Sequence, residues 1–437
     1  MNPNLAQQLF EEFSTIVVLG MPPGTEFGID MKSWNVGEKF RGVKMIPPGL
    51  HFIYYSAVSN QGDTAPRTGF FHYFKRKELI VRHYDVAMED LKDEDEDPGE
   101  VGRLQSNLRQ LDQYLGAYPA ETWEKWVSLT QHITEKDLER MIPLSGKICS
   151  APELVVVKSA SSNELNSDIK TDMKTSLAVS PHKQSDVKSD MNVSVDASMS
   201  SDTDTNMQKD PADMNIKSCK SLDKSVGTSK VDTETISISS EPAKNIVPEL
   251  PNMVPRPGTE LRFSKFPSRP YREGATPSEI THYSLDSSYS LRKVIENLDK
   301  SESLLAELQL SFVCFLVGQV WDGWEQWRKL LGMICSAEEL LVQEPQTYLK
   351  LLSLIHFQIQ EVPEDLFVDI VESNNFLAAA LKTLFANISD NAALLPNMLV
   401  SKALRFKNHI TTKFSWNLTL EDEGEDAPVV VETEDVT

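Results

Sequence analysis

A chain of 437 residues with 40% hydrophobic content is long enough for two or three packed domains. Its net charge of −22 leaves no basic field to follow a phosphate backbone, which argues against nucleic-acid binding as the main activity. No apolar run approaches the roughly 20 residues of a membrane span, and residues 1–13 carry Glu11 and Glu12 where a leader would be basic, so a cytoplasmic protein without a membrane partner is expected.

Leu5, Leu9, Phe10 and Phe13 recur at helical spacing and predict a short amphipathic helix. Six strands are predicted next, over 15–19, 25–29, 42–46, 50–56, 68–74 and 78–84. Two Pro-Pro-Gly units, at 22–24 and 47–49, punctuate them. Proline presets φ and glycine supplies positive φ, so each unit reads as a turn. Short connections marked by Gly and Pro point to a sandwich or barrel rather than a doubly wound sheet. Residues 89–100 hold eight acids against Lys92, and 421–437 hold eight acids and no base. The acidity therefore sits in one loop and in the tail. Leu104, Leu108, Leu111 and Leu115, then Trp123, Trp126, Val127 and Ile133, carry the chain into helices.

Lys158–Leu250 is different in kind. No aromatic residue occurs between Trp126 and Phe263, and Ser, Thr, Asp and Lys dominate. Such a segment buries too little apolar surface to offset its ordering entropy, so a disordered linker is expected. Arg256, Arg262, Lys265, Arg269 and Arg272, interleaved with Phe263, Phe266 and Tyr271, form a basic strip. Charge and stacking of this kind suit RNA, but in so acidic a chain an interdomain or protein-docking strip is favoured. Thr276-Pro277-Ser278-Glu279 opens a series of helices expected over 301–319, 321–334, 345–360, 364–372, 375–388 and 392–413. Trp321, Trp324 and Trp327 lie at i, i+3 and i+6, either a packed seam or an exposed anchor for a protein partner.

The expected fold class is therefore α+β and multidomain. Residues 1–157 form a β-sandwich or barrel-like domain ending in helices, and 158–250 a disordered Ser/Asp-rich linker. Residues 251–418 form an all-α bundle, and 419–437 an acidic tail with one candidate strand. Motifs that carry chemistry are missing. No P-loop, G-x-G-x-x-G, H-E-x-x-H or G-x-S-x-G occurs. His51, His72 and His83 fall in three candidate strands and read as polar strand-face positions rather than metal ligands. Cysteines 149, 219, 314 and 335 are widely spaced and read as reduced thiols. No catalytic residue, metal or cofactor is expected, and the chain reads as a non-enzyme.

Several stretches resemble the Aar-two splicing factors. They include 24–30, Trp34 and 40–49 near the start, 108–116 with Tyr118-Pro119, 256–264, 273–281, 312–316, 367–371 and 427–432. The resemblance implies a β-rich domain joined to a helical one. It also implies a role in assembling the U5 small nuclear ribonucleoprotein, through the C-terminal RNase H-like and Jab/MPN-like region of the Prp-eight protein. Binding there keeps the Brr-two helicase and RNA away until maturation, in a cytoplasmic precursor that enters the nucleus with the U5 particle. The alternative is a general helical-repeat scaffold. Pro428, Val429, Val430, Val431 and Glu432 are β-branched-rich with no neighbouring strand; they read as pairing with the chain's own β-domain or as disorder, or, with the resemblance counted, as addition to a partner's sheet. Ser180, before a proline, and Ser284, Ser287 and Ser288, near a helix, are candidate phosphorylation sites.

Overall fold

The computed structural model describes residues 3–59, 61–92, 97–156, 253–298, 300–362, 376–414, 416 and 418. Residues 158–250, the helix expected over 364–372, Ser180 and the tail residues Pro428 to Glu432 lie outside the described residues. Everything described belongs to one compact unit, Met1–Val157 with Pro251–Thr437.

The N-terminal half is a β-sandwich flanked by helices. Its strands are β1 (Ser14–Leu19), β2 (Glu26–Ile29), β3 (Lys32–Asn35), β4 (Gly42–Ile46), β5 (Gly49–Ser56), β6 (Thr68–Phe74) and β7 (Leu79–Asp85). The short pieces are β8 (Asp90–Leu91), β9 (Gly116–Ala117) and β10 (Ile148–Cys149). One sheet runs β8-β7-β1-β4-β9 and the other β10-β6-β5-β2-β3. All six expected strands are present. β1 pairs in parallel with β7, Thr15 opposite Leu79, and antiparallel with β4, Val17 opposite Gly42.

The continuous apolar run Ile16-Val17-Val18-Leu19 follows from this architecture, because a strand covered on both faces need not alternate. Ile16 and Val18 face the second sheet and pack with Phe27, Ile29, Ile53 and Tyr55. Val17 points the other way, with Leu79, Val81 and Leu115. Phe10 of α1 (Pro3–Glu12), Leu104 of α2 (Pro98–Ser106) and Leu108 of α3 (Leu108–Leu111) cover that face.

The second sheet is also two-faced. Leu50, Phe52 and Tyr54 of β5 alternate with the inter-sheet residues and enter the core shared with the C-terminal helices. There they meet Trp126 and Leu129 of α4 (Trp123–Thr130) and Leu138 and Met141 of α5 (Glu135–Met141).

The C-terminal half comprises α6 (Pro277–Leu285), α7 (Ser288–Ile295), α8 (Ser303–Leu316), α9 (Trp321–Cys335), α10 (Glu338–Gln343) and α11 (Pro345–Glu361). The helices Phe376–Asp390 and Asn397–Phe414 follow. α8 is buried all round, with 12 of its 14 residues covered, Glu307 and Gln309 among them, so it runs through the middle of the molecule rather than along its surface. The capping box at Thr276 forms: the Thr276 hydroxyl accepts from the Glu279 N–H, and Glu279 accepts from the Thr276 N–H at 2.8 Å. The helix expected over 392–413 starts later, at Asn397, because Pro396 sets its first turn and residues 391–394 form turns.

The two halves are sewn together by buried polar contacts. Within the N-terminal half, Trp126 Nε1 donates to the Leu50 carbonyl at 2.6 Å and fixes α4 on the sheet that meets the C-terminal helices. Gln309 of α8 accepts from the His132 N–H at 2.8 Å and donates to the Ser128 carbonyl at 3.0 Å. Arg67 donates to the Val317 carbonyl at 2.6 Å, pairs with Glu26 at 2.9 Å and lies over the Tyr54 ring. Two further strands, β11 (Leu154–Val156) and β12 (Met253–Pro255), pair antiparallel, so Val156 and Met253 lie opposite each other.

Candidate functional site

Three places concentrate polar or exposed aromatic side chains. The first is buried. Asp30 follows β2 and takes φ 54°, the left-handed conformation that short acidic residues tolerate in a two-residue hairpin turn. Its Oδ1 accepts from the Phe52 N–H at 2.9 Å. Its Oδ2 accepts from the Tyr118 hydroxyl at 2.6 Å and lies 2.6 Å from His51 Nδ1. His51 Nε2 lies 2.8 Å from the Pro47 carbonyl, which can only accept, so this nitrogen carries a proton. Burial, then the Asp30 charge, pushes the Tyr118 hydroxyl far above its ordinary pKa. The group looks like a catalytic dyad, but Asp30 and His51 are fully buried and every named atom is engaged. It does the work of a polar lock that ties the β2–β3 turn, the Pro47-Pro48-Gly49 turn and Tyr118-Pro119 into one piece.

The three strand histidines are not brought together. His51 meets Asp30, His72 meets Glu78 at 3.1 Å, and His83 meets Glu100 at 2.8 Å. A different trio, His282, Asp286 and Glu339, does converge. Asp286 there already accepts the N–H groups of Ser288, Glu338 and Glu339, and Arg292 holds Glu339 at 2.7 Å. That arrangement caps α7 and α10 and leaves few lone pairs for an ion.

The second place is the basic strip. Glu307, fully buried on α8, accepts from the Ser264 N–H and hydroxyl at 2.7 Å each, from Gln326 at 2.8 Å and from Arg140 at 3.1 Å. Arg262 donates to the Ile142 carbonyl at 2.6 Å and to the Glu139 carbonyl. Arg256 pairs with Glu153 at 2.9 Å, Arg272 pairs with Glu279, and Lys329 lies over the Phe266 ring. Residues 256–272 thus form a strap laid across both halves, with three of the five basic side chains spent inside the chain.

The third place faces solvent. Trp327 and Trp324 are buried against Phe312, Phe315 and Phe376, whereas Trp321 is 61% exposed. A step of three residues turns a helix by roughly 300°, so three such tryptophans walk off the core face. Trp321 borders a cleft of about 210 Å³ lined by Pro143, Ile148, Pro152, Pro255 and Leu261. Leu144 and Leu154, each next in sequence to a residue lining the cleft, are also exposed. Sequence reasoning had the tryptophans but could not say which one left the core, because that depends on where α9 crosses α8.

Of the candidate phosphorylation sites, Ser284 is exposed and donates to the Ile280 carbonyl. Ser287 meets the Ser336 hydroxyl at 2.8 Å, and the buried Ser288 hydroxyl accepts from the Leu340 N–H. Ser284 thus lies at the surface, whereas Ser288 is covered at the α7–α10 junction.

Residues 12–143 match the AAR2 N-terminal domain, and residues 263–419 match the AAR2 C-terminal repeat region. Both halves of the described structure are therefore covered. The chain belongs to the AAR2 family. It is 36% identical over 436 residues to the human Protein AAR2 homolog and 38% identical over the same length to that of Mus musculus, covering 99% of this chain and 97% of each relative. To the Caenorhabditis elegans Protein AAR2 homolog it is 31% identical over 415 residues, 95% of this chain and 97% of the relative. The Asp30 lock falls within the AAR2 N-terminal domain, and the strap meets the C-terminal match at Phe263.

Proposed function

We propose that this chain is a non-enzymatic assembly factor for the U5 small nuclear ribonucleoprotein in pre-mRNA splicing. It binds the C-terminal RNase H-like and Jab/MPN-like region of the Prp-eight protein and holds off the Brr-two helicase and RNA until maturation. It acts on the cytoplasmic precursor and enters the nucleus with it. The observation that carries this reading is the AAR2 match across both halves, which supports a splicing-related role. The relatives are named as protein homologues and not as enzymes. The most catalytic-looking group, Asp30 with His51, is a closed lock, which agrees with a binding role. Trp321 and its cleft offer an aromatic anchor of the sort that dominates protein interfaces. The segment Pro428 to Glu432 adds a second tether by strand addition, aided by effective concentration once the folded part has docked.

Affinity purification from cells followed by mass spectrometry tests the reading. Recovery of Prp-eight without Brr-two supports it. Absence of Prp-eight overturns it. A second reading, a general helical scaffold, has in its favour only the description of the C-terminal match as a repeat region. A broad client list without enrichment of Prp-eight would establish it instead. Trp321→Ala keeps the fold, since the ring is exposed, and is expected to weaken Prp-eight binding roughly tenfold or more. Unchanged dissociation of that variant removes Trp321 from the interface.

A further inference from the structure

Residues 391–420 contain no acidic residue, in a chain with 65 of them. The helix Asn397–Phe414 within this stretch carries Lys402, Arg405, Lys407, His409 and Lys413. Four of these fall at 402, 405, 409 and 413, steps of three and four that place them on one stripe. Arg405, His409 and Lys413 are exposed. Lys402 is half-buried and donates to the Leu349 carbonyl at 2.8 Å and to the Ser353 hydroxyl. His356 of α11 adds a further ring against His409, centroids 5.2 Å apart. Among the described residues, no carboxylate pairs with any of these groups. By contrast, Lys350 pairs with Glu302 and Lys125 with Glu361. Its effect on neighbours is visible. Burial lowers the His356 pKa, and the nearby His409, Lys413 and Lys402 lower it further, with no acid opposing them.

An uncompensated cationic stripe on a chain of this net charge calls for a negative occupant, and the chain carries one close by. Leu418, the last described residue, is buried just beyond the end of this helix. Residues 421–437 follow with eight acids and no base. Seventeen extended residues reach up to roughly 56–60 Å, whereas Lys413 to Lys402 is a rise of only about 16 Å. The tail has ample length to double back along the stripe, at the high effective concentration that a short tether gives.

We propose that the acidic tail 421–437 docks intramolecularly on the basic stripe of helix Asn397–Phe414. In the free protein this keeps the valines of the tail from sheet edges until a partner competes for it. The proposal does not rest on the identity of that partner.

Zero-length carbodiimide cross-linking of the full chain, read by mass spectrometry, tests it. Arg405→Lys keeps the charge and places a reactive amine mid-stripe, too far along the helix for the distal acids unless the tail turns back. The expected result is a link from position 405 to Glu432, Glu434 or Asp435 within one molecule. It should fall at least fivefold in 0.5 M salt, and likewise when His409→Gln and Lys413→Gln are added. Far-UV circular dichroism and the melting temperature verify that these exposed substitutions leave the fold in place. Mixing heavy- and light-isotope protein separates links within one copy from links between copies. Links only between copies overturn the proposal. So do links running only to the acids of 363–375, and links to the tail that ignore both salt and charge. Absence of any link at position 405 overturns it as well.

Discussion

Asp30 is the residue on which the N-terminal half turns. Three donors converge on one fully buried carboxylate, two of them from positions 21 and 88 residues away along the chain. Nothing local in the sequence connects Asp30, His51 and Tyr118. The one available signal was a histidine set among the apolar residues of strand 50–55, a position where a polar side chain needs a buried partner. Tyr118→Phe is expected to cost about 1.5–3 kcal/mol, the range for a hydrogen bond to a charged group. Asp30→Ala is expected to cost about 3–5 kcal/mol, because it leaves the buried Tyr118 hydroxyl, the Phe52 N–H and His51 Nδ1 without their partner. The double variant should fall well short of the sum, and strict additivity in urea unfolding would show that the three groups do not act as a unit. His132 supplies a pH dependence of known sign. Burial, then Lys350, lowers its pKa in the folded chain, with Lys300 adding and Glu302 opposing. The unfolded chain therefore takes up a proton first as pH falls below about 6.5. The contribution of His132 is complete above that value and is lost as pH drops through the lower folded pKa. His132→Gln should flatten the decline in stability as pH falls below about 6.5, and an unchanged slope would refute the assignment.

At the scale of elements, the main strands were legible because Gly and Pro frame them and β-branched residues fill them. β3 was not, because all four of its residues are exposed and give no alternation to read. β8 to β12 are pairings of two or three residues that exist only because tertiary structure brings them together. The helices were legible from their apolar stripes, with ends off by a few residues where Pro396 or a turn intervened. Gly42 and Gly49 show how finely the β1–β4 pairing is set. Both take φ 133°, a conformation L side chains rarely adopt. A Cβ on Gly49 would meet open space, whereas one on Gly42 would come within 1.9 Å of the Ile16 carbonyl oxygen. Backbone strain alone costs about 1–3 kcal/mol. Gly49→Ala should show that cost and no more. Gly42→Ala should exceed it by at least about 2 kcal/mol, since β1 must move away from β4 and the ladder between them is lost. Equal midpoints in urea for the two variants would mean that the strands part freely at Gly42.

At the scale of the molecule, the sandwich and the helices share a core, and this bears on how the chain unfolds. Leu50, Phe52, Tyr54 and Phe71 from the second sheet pack in the same cluster as Trp126, α8 and α9. The strap at 256–272 and the Glu307 hub add polar ties across the same boundary. Composition read the chain correctly as β-rich then helical, yet it carried no sign of this union, because contacts between distant segments leave no periodicity. A single cooperative transition is expected. The pairing of Val156 with Met253 sharpens the test, since it already holds together the two residues that flank 157–252. Deleting 161–247 shortens the connection from about 96 residues to about nine, which by loop-closure entropy stabilises the folded state by roughly 2 kcal/mol. The deleted form should melt in one transition, at or a few degrees above the melting temperature of the full chain. Two separated transitions would mean that the halves are independent despite their common core. A single transition at a markedly lower temperature would mean that 161–247 contributes contacts that the rest of the chain needs.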